Sequence, residues 1–172
     1  MKEQIQDLPF DQDNTDNVWD ATKKGSLLGV KYFLAQDPSA LEKQDDDDDY
    51  KRRPLHYASQ KGHLDIVQHL LSKGAKVDSF TCNNSTPLMW ACQFGHLLIS
   101  NLLLDRGANI NIENTIMHTP LHYAVLANNL DLVKVLIERG ADKTLKNNTN
   151  ETPLEYAKRL NYSSIVNYLS HV

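Results

Sequence analysis

One short segment returns along this chain at a fixed interval. Pro-Leu-His-Tyr-Ala begins at Pro54, Pro-Leu-Met-Trp-Ala at Pro87, Pro-Leu-His-Tyr-Ala again at Pro120 and Pro-Leu-Glu-Tyr-Ala at Pro153, each 33 residues after the last. The rest of the unit keeps step. Leu70-Leu71, Leu103-Leu104 and Leu136-Ile137 hold one place in it, and Gly74-Ala75, Gly107-Ala108 and Gly140-Ala141 another. A looser copy starts near Val18, where Ala21, Gly25 and Phe33-Leu34 match once a four-residue excess is allowed before Pro54. That excess falls on the stretch KQDDDDDYKRR. A unit this short cannot bury its own apolar face, so neighbouring units must stack.

Local chemistry says what each unit is. Thr86, Thr119 and Thr152 can accept hydrogen bonds from the amides of a first helical turn. Pro87, Pro120 and Pro153 then take the first helical position, where no amide hydrogen is needed. Arg53 stands where the other units have Thr, so the helix after it is expected to be capped more weakly. Gly62 and Gly95 allow the turn into a second helix, and Asn128 and Asn161 take the same place, Asn being tolerant of left-handed backbone. Leu64, Val67, Leu70 and Leu71 recur at helical spacing on one face of that second helix. Gly74, Gly107 and Gly140 end it. Asp16 or Asn17 is placed to cap the first helix, and Ser163, Ser164, Asn167 and Ser170 make the outer face of the last helix polar.

The pattern Thr-Pro-Leu-His-x-Ala, followed by Gly-His and then Leu-Leu-x-x-Gly-Ala, resembles the ankyrin repeat family. The resemblance runs from Val18 to Val172 and implies an all-α fold. That fold is an ankyrin-repeat solenoid of about five helix-turn-helix units joined by β-hairpin loops. The expected organisation is an acidic, disordered segment over 1–17 and one repeat domain over 18–172. Its units span 18–50, 51–83, 84–116, 117–149 and 150–172, the first and last acting as caps.

Composition excludes several classes. A net charge of −4 gives no nucleic-acid footprint. Apolar runs are too short for a membrane span, and the opening residues carry no apolar secretory core, so a cytoplasmic monomer is expected. Two cysteines, Cys82 and Cys92, do not make a disulfide framework. The run Asp45 to Asp49 lacks the glycine and terminal glutamate of a calcium loop and reads as a solvated loop. No nucleophile elbow, phosphate loop or zinc-helix motif is present. His56, His63, His96 and His122 occupy structural places in the unit, and Cys92 reads as a small residue at the core's edge. No enzyme activity, cofactor, metal or small-molecule substrate is expected.

A stacked solenoid offers an extended face of hairpin tips and first helices to a protein partner. Tip residues include Tyr50, Arg52, Phe80, Ile116 and His118, and first-helix ends carry Gln60, Lys61, Gln93, Phe94 and Leu126. Trp90 and Phe94 lie four apart on one helix face, Trp90 taking the place of Tyr57, Tyr123 and Tyr156. Trp90 is expected to pack one edge into the groove, with Phe94 more exposed. The segments NSTPLMWACQFGHL and ETPLEYAKRLNYSSIVNYL also look like the ankyrin domain of the DHHC palmitoyltransferases. That resemblance implies recruitment of transferase substrates at the cytosolic face of a membrane, by reading a Val-x-x-Gln-Pro type segment at the Trp matched by Trp90. It also implies an Asn, at whose place this chain has Lys61. The alternative is a scaffold or inhibitor gripping a folded partner, as ankyrin regulators of the proteasome, kinases and transcription factors do.

Overall fold

The structure is a computed structural model that describes residues 17–172. The acidic segment read over the preceding residues lies outside that range. Ten α-helices follow in pairs: α1 Val18–Lys24 with α2 Leu27–Gln36, α3 Pro54–Lys61 with α4 Leu64–Ser72, α5 Pro87–Gln93 with α6 Leu97–Asp105, α7 Pro120–Leu126 with α8 Leu130–Glu138, and α9 Pro153–Arg159 with α10 Ser163–Leu169. A 3-10 turn at Pro38–Leu41 follows α2. The first helix of each pair packs on the first helix of the next, and the second helices pack likewise, giving two rows. Among the described residues there is no β-strand. The later hairpin loops each end in one tight turn, the first carries two, and successive tips are joined by one main-chain bond: Cys82 N–H to Tyr50 O, Thr115 N–H to Asn83 O and Asn148 N–H to Ile116 O.

The local signals explain the elements. Thr86, Thr119 and Thr152 accept from the amides of Met89, His122 and Glu155. Asn17 caps α1 by accepting from Asp20 N–H at 2.9 Å. Arg53, which has no acceptor, makes no side-chain cap. Its guanidinium instead donates to the carbonyls of Glu42 and Phe80, bracing two successive tips. Ala58, Ala91, Ala124 and Ala157 are fully buried, letting the first helices approach closely, while Ile66, Leu70, Ile99, Leu103, Leu132, Leu136 and Ile165 carry the core between the rows. Burying each such side chain contributes roughly 1.5–3 kcal/mol. Ser163, Ser164 and Asn167 are exposed on α10, and Ser170 is exposed just past its end.

The histidines are stitches between units. His56 Nδ1 accepts the Arg53 N–H, so its Nε2 carries the proton and donates to the carbonyl of Ser79 at 3.0 Å. His122 repeats this with Thr119 N–H and the carbonyl of Glu151. His63 and His96 reach back to the carbonyls of Lys23 and Gln60 in the preceding first helices.

Two glycines, Gly25 and Gly62, are demanded twice over, by left-handed backbone and by a histidine ring 2.7 Å from where a Cβ would stand. Gly62 sits at φ +81°, and a Cβ there would lie 2.7 Å from the His96 ring. Gly74 has similar left-handed backbone but open space around it. Gly62→Ala is expected to lose about 2 kcal/mol from backbone strain and the displaced ring, and Gly74→Ala about 1 kcal/mol from strain alone. Urea unfolding of the two variants checks this, and equal losses would discard the ring contact.

Candidate protein-binding site

Every tip is anchored by one residue. The N–H of Asp45, Thr81, Asn114 and Asn147 donates across the turn to the carbonyl of Arg52, Ser85, His118 and Glu151 respectively. Asn114 and Asn147 also accept two main-chain N–H groups each within their own turns. Beside these anchors runs a ladder of aromatic side chains from the first helices: Tyr57, Trp90, Tyr123 and Tyr156. In two units the anchor satisfies the ring's polar tip. Tyr57 Oη donates to Asp45 Oδ2 at 2.7 Å, and Asn114 Nδ2 donates to Tyr123 Oη at 2.8 Å.

The third unit breaks the rule in both partners. Thr81 stands where its neighbours have Asp or Asn, and its hydroxyl is engaged with Asn83, the Ser85 carbonyl and the Ser85 N–H. The ring is an indole, which can only donate. Trp90 Nε1 is buried with no partner. Leaving such a donor unpaired costs roughly 1–3 kcal/mol. Trp19, by contrast, donates its Nε1 to the carbonyl of Lys43.

Trp90 is the floor of an aromatic shelf. The Phe94 ring stacks on it at 6.3 Å and 18°, and the Tyr50 ring meets it edge-on at 5.7 Å and 80°. Trp90 is 9% exposed, but Phe94 is 48% and Tyr50 43% exposed, so the two flanking rings face water. The Arg52 guanidinium lies 5.1 Å from the Trp90 centroid, 4.5 Å from that of Tyr57 and 5.5 Å from that of Tyr50. Asp48 clamps it through Nε and Nη2 at 2.9 and 2.6 Å, and Nη1 donates to Gln60 Oε1. Lys23 Nζ also lies 4.5 Å from the Tyr57 centroid while bonding Asp45.

Charges in this cluster are settled internally. Burial would raise the carboxyls of Asp45 and Asp48, but the Tyr57 hydroxyl and Lys23 on one, and Arg52 on the other, hold both below their ordinary range. Burial and then the Asp45 hydrogen bond push the Tyr57 phenol far up. The expectation that Asp45 to Asp49 form a solvated loop is therefore corrected. Asp45 and the Asp48 side chain are buried anchors, whereas Asp46, Asp47 and Asp49 are exposed.

The other expected residues fall in different places. Gln60 joins the shelf through Arg52; Lys61 is exposed at the end of α3 outside it, and Gln93 is half-buried. Phe80, Ile116 and Leu126 are exposed as expected, at two tips and the end of α7, outside the ring cluster. His118 and Tyr123 are not open surface. His118 is buried with its ring 5.6 Å from Tyr123, 5.4 Å from Tyr156 and 5.3 Å from His122, a second cluster closed by the stacking of tips. Tyr57 was read only as a ladder position equivalent to Trp90, and the roles of Lys23, Asp45, Asp48 and Thr81 escaped the sequence reading. Thr81 was visible in principle, because it breaks a 33-residue alternation of Asn114 and Asn147; Asp45 was hidden by the excess before Pro54.

Burial pushes the Cys92 thiol up to about 12. Among the described residues no group of three or more His, Cys, Asp or Glu side chains is placed to hold a metal ion.

Paired helices in two rows, stitched by histidines and ending in tight tips, define a helical-repeat solenoid. Sequence comparison agrees: the model described as ankyrin repeats (3 copies) matches residues 18–114, over half of the chain, and a second, ankyrin repeats (many copies), matches residues 103–157. The chain belongs to the ankyrin repeat family. It is 35% identical over 83 residues to ankyrin repeat domain-containing protein 39 of Homo sapiens, covering 47% of this chain and 40% of that protein. Ankyrin repeat domain-containing protein 49 is 34% identical over 77 residues in Homo sapiens and 32% over 78 in Bos taurus, covering 45% of this chain and 31% and 32% of those proteins. The matched stretch thus spans less than half the length of each relative. Among the described residues no helix is long and apolar enough to cross a membrane.

Proposed function

We propose that this chain is a non-catalytic protein-interaction module whose shelf of Tyr50, Trp90 and Phe94 receives an extended peptide segment of a partner protein in the cytoplasm. The observation that carries this reading is the unpaired Trp90 N–H beneath two exposed rings, beside a tip anchor, Thr81, whose hydroxyl is engaged within its own turn. Trp, Tyr and Arg clustered around a buried centre are the composition of binding hot spots. The resemblance to palmitoyltransferase ankyrin domains narrows the ligand to a Val-x-x-Gln-Pro type segment and the role to substrate recruitment. Gln60, rather than Lys61, is then the polar side chain within the shelf. The exposure of Phe80, Ile116 and Leu126 beyond the shelf favours a second reading, a folded partner gripped along several tips.

The test titrates a Val-x-x-Gln-Pro peptide into the protein and follows the heat of binding by calorimetry, with Trp90→Tyr/Thr81→Asn as the comparison. That double variant rebuilds the Tyr-Asn pair of the fourth unit, so it is expected to fold at least as stably. Loss of a hot-spot ring of about 2 kcal/mol should weaken binding about thirtyfold. Unchanged affinity in the folded variant would sink the shelf, and no binding by the native chain would sink the peptide.

A further inference from the structure

Away from the tips, α2, the 3-10 turn and the end of α4 leave a pocket of about 400 Å³, within the usual size of small-molecule sites. The chain departs here from the regular pairs. α2 runs ten residues against nine in α4, α6 and α8, and among the described residues the only 3-10 turn follows it. Leu34, Pro38 and Leu41 line the pocket, and its polar groups are Lys31, His69 and Lys73; no carboxylate lines it. Neither lysine has an ion-pair partner among the described residues, although every arginine and lysine of the tip cluster described above is paired. His69 Nε2 is buried with no hydrogen-bond partner. Burial first, then Lys31 and Lys73, hold its ring below its ordinary value.

We infer that this pocket binds a small amphipathic carboxylate, an acid head set between Lys31 and Lys73 on an apolar chain lying over Leu34, Pro38 and Leu41. Two uncompensated ammonium groups beside an apolar wall match one negative charge on a hydrocarbon body. The wall offers no arginine fork of the kind that takes the several oxygens of a phosphate.

The experiment titrates octanoate into the isotopically labelled full chain and follows the His69 ring and the Leu34 and Leu41 methyl resonances. Saturable shifts confined to these residues are expected. Lys31→Gln/Lys73→Gln, both surface changes, and octanol in place of octanoate should each weaken binding about tenfold. Absence of shifts at the pocket, equal binding of octanol, or equal shifts with inorganic phosphate would each overturn the assignment. Acetyl-leucyl-leucine forms the last arm: tighter binding than octanoate would replace the free acid with the end of a peptide chain.

Discussion

At pH 5 the protein is expected to be about 4 kcal/mol less stable than at pH 7, because two buried histidines must stay neutral for it to fold. His56 and His122 are fully buried, and burial drives their rings from 6.5 down to about 3 and about 4. The hydrogen bonds supply a further reason. In each ring Nδ1 already accepts a main-chain N–H, so protonation would set one donor against another. Once unfolded, both rings titrate at the ordinary value. Between pH 6.5 and about 4 the unfolded chain therefore holds protons that the folded chain refuses, and acid pulls the equilibrium toward unfolding. This stability is fully present above 6.5, falls as pH drops through the window and levels off below the folded values. Each ring contributes about 2 kcal/mol by pH 5. The depressed carboxylates of Asp45, Asp48 and Glu151 titrate mainly below this window. His118, also lowered by burial, adds in the same direction. Urea unfolding at the two pH values measures the difference, and His122→Gln should roughly halve it. Equal stability at pH 5 and pH 7 would mean that the rings are not held neutral.

Asp48→Asn is expected to lose about 3 kcal/mol, far more than its neighbours in the acidic run. The side chains of Asp48 and Arg52 are only 8% and 15% exposed, and their contact is bidentate. Removing one partner of such a pair leaves the other's charge desolvated, here against the rings of Tyr50, Tyr57 and Trp90. Asn keeps one acceptor oxygen, so either Nη2 or the pair formed by Nε and the Arg52 main-chain N–H is left facing an NH2 group. Asp47→Asn and Asp49→Asn alter exposed side chains and should stay within about 0.5 kcal/mol of the native protein. Denaturant midpoints compare the three variants directly. A red shift in tryptophan emission confined to Asp48→Asn would show Arg52 leaving the Trp90 face. If Asp48→Asn behaves like Asp47→Asn, the clamp does not hold the shelf together.

What the sequence determined by itself was the repeating element. Thr86, Pro87, Gly95 and Gly107 each act within one helical turn or one loop, through a cap, a missing amide or a left-handed backbone. Such signals need no knowledge of distant residues, and the 33-residue step multiplied them. The four-residue spacing of Trp90 and Phe94 foretold their shared face for the same reason, and the two rings stack.

Tertiary structure alone decided which side chains surround those rings. Tyr50 and Arg52 reach Trp90 from the preceding tip, across an insertion that breaks the period, so no spacing rule predicts the contact. The Asp run reads as solvent-exposed by composition, yet Asp45 and Asp48 are buried because Tyr57, Lys23 and Arg52 converge on them. His118 reads as an exposed tip residue, yet Tyr156 of the following unit packs against it. A helix is specified by residues a few positions apart, whereas burial at a tip is set by the unit stacked beside it. Only the stacked chain shows where one unit's anchor fails to serve its own ring.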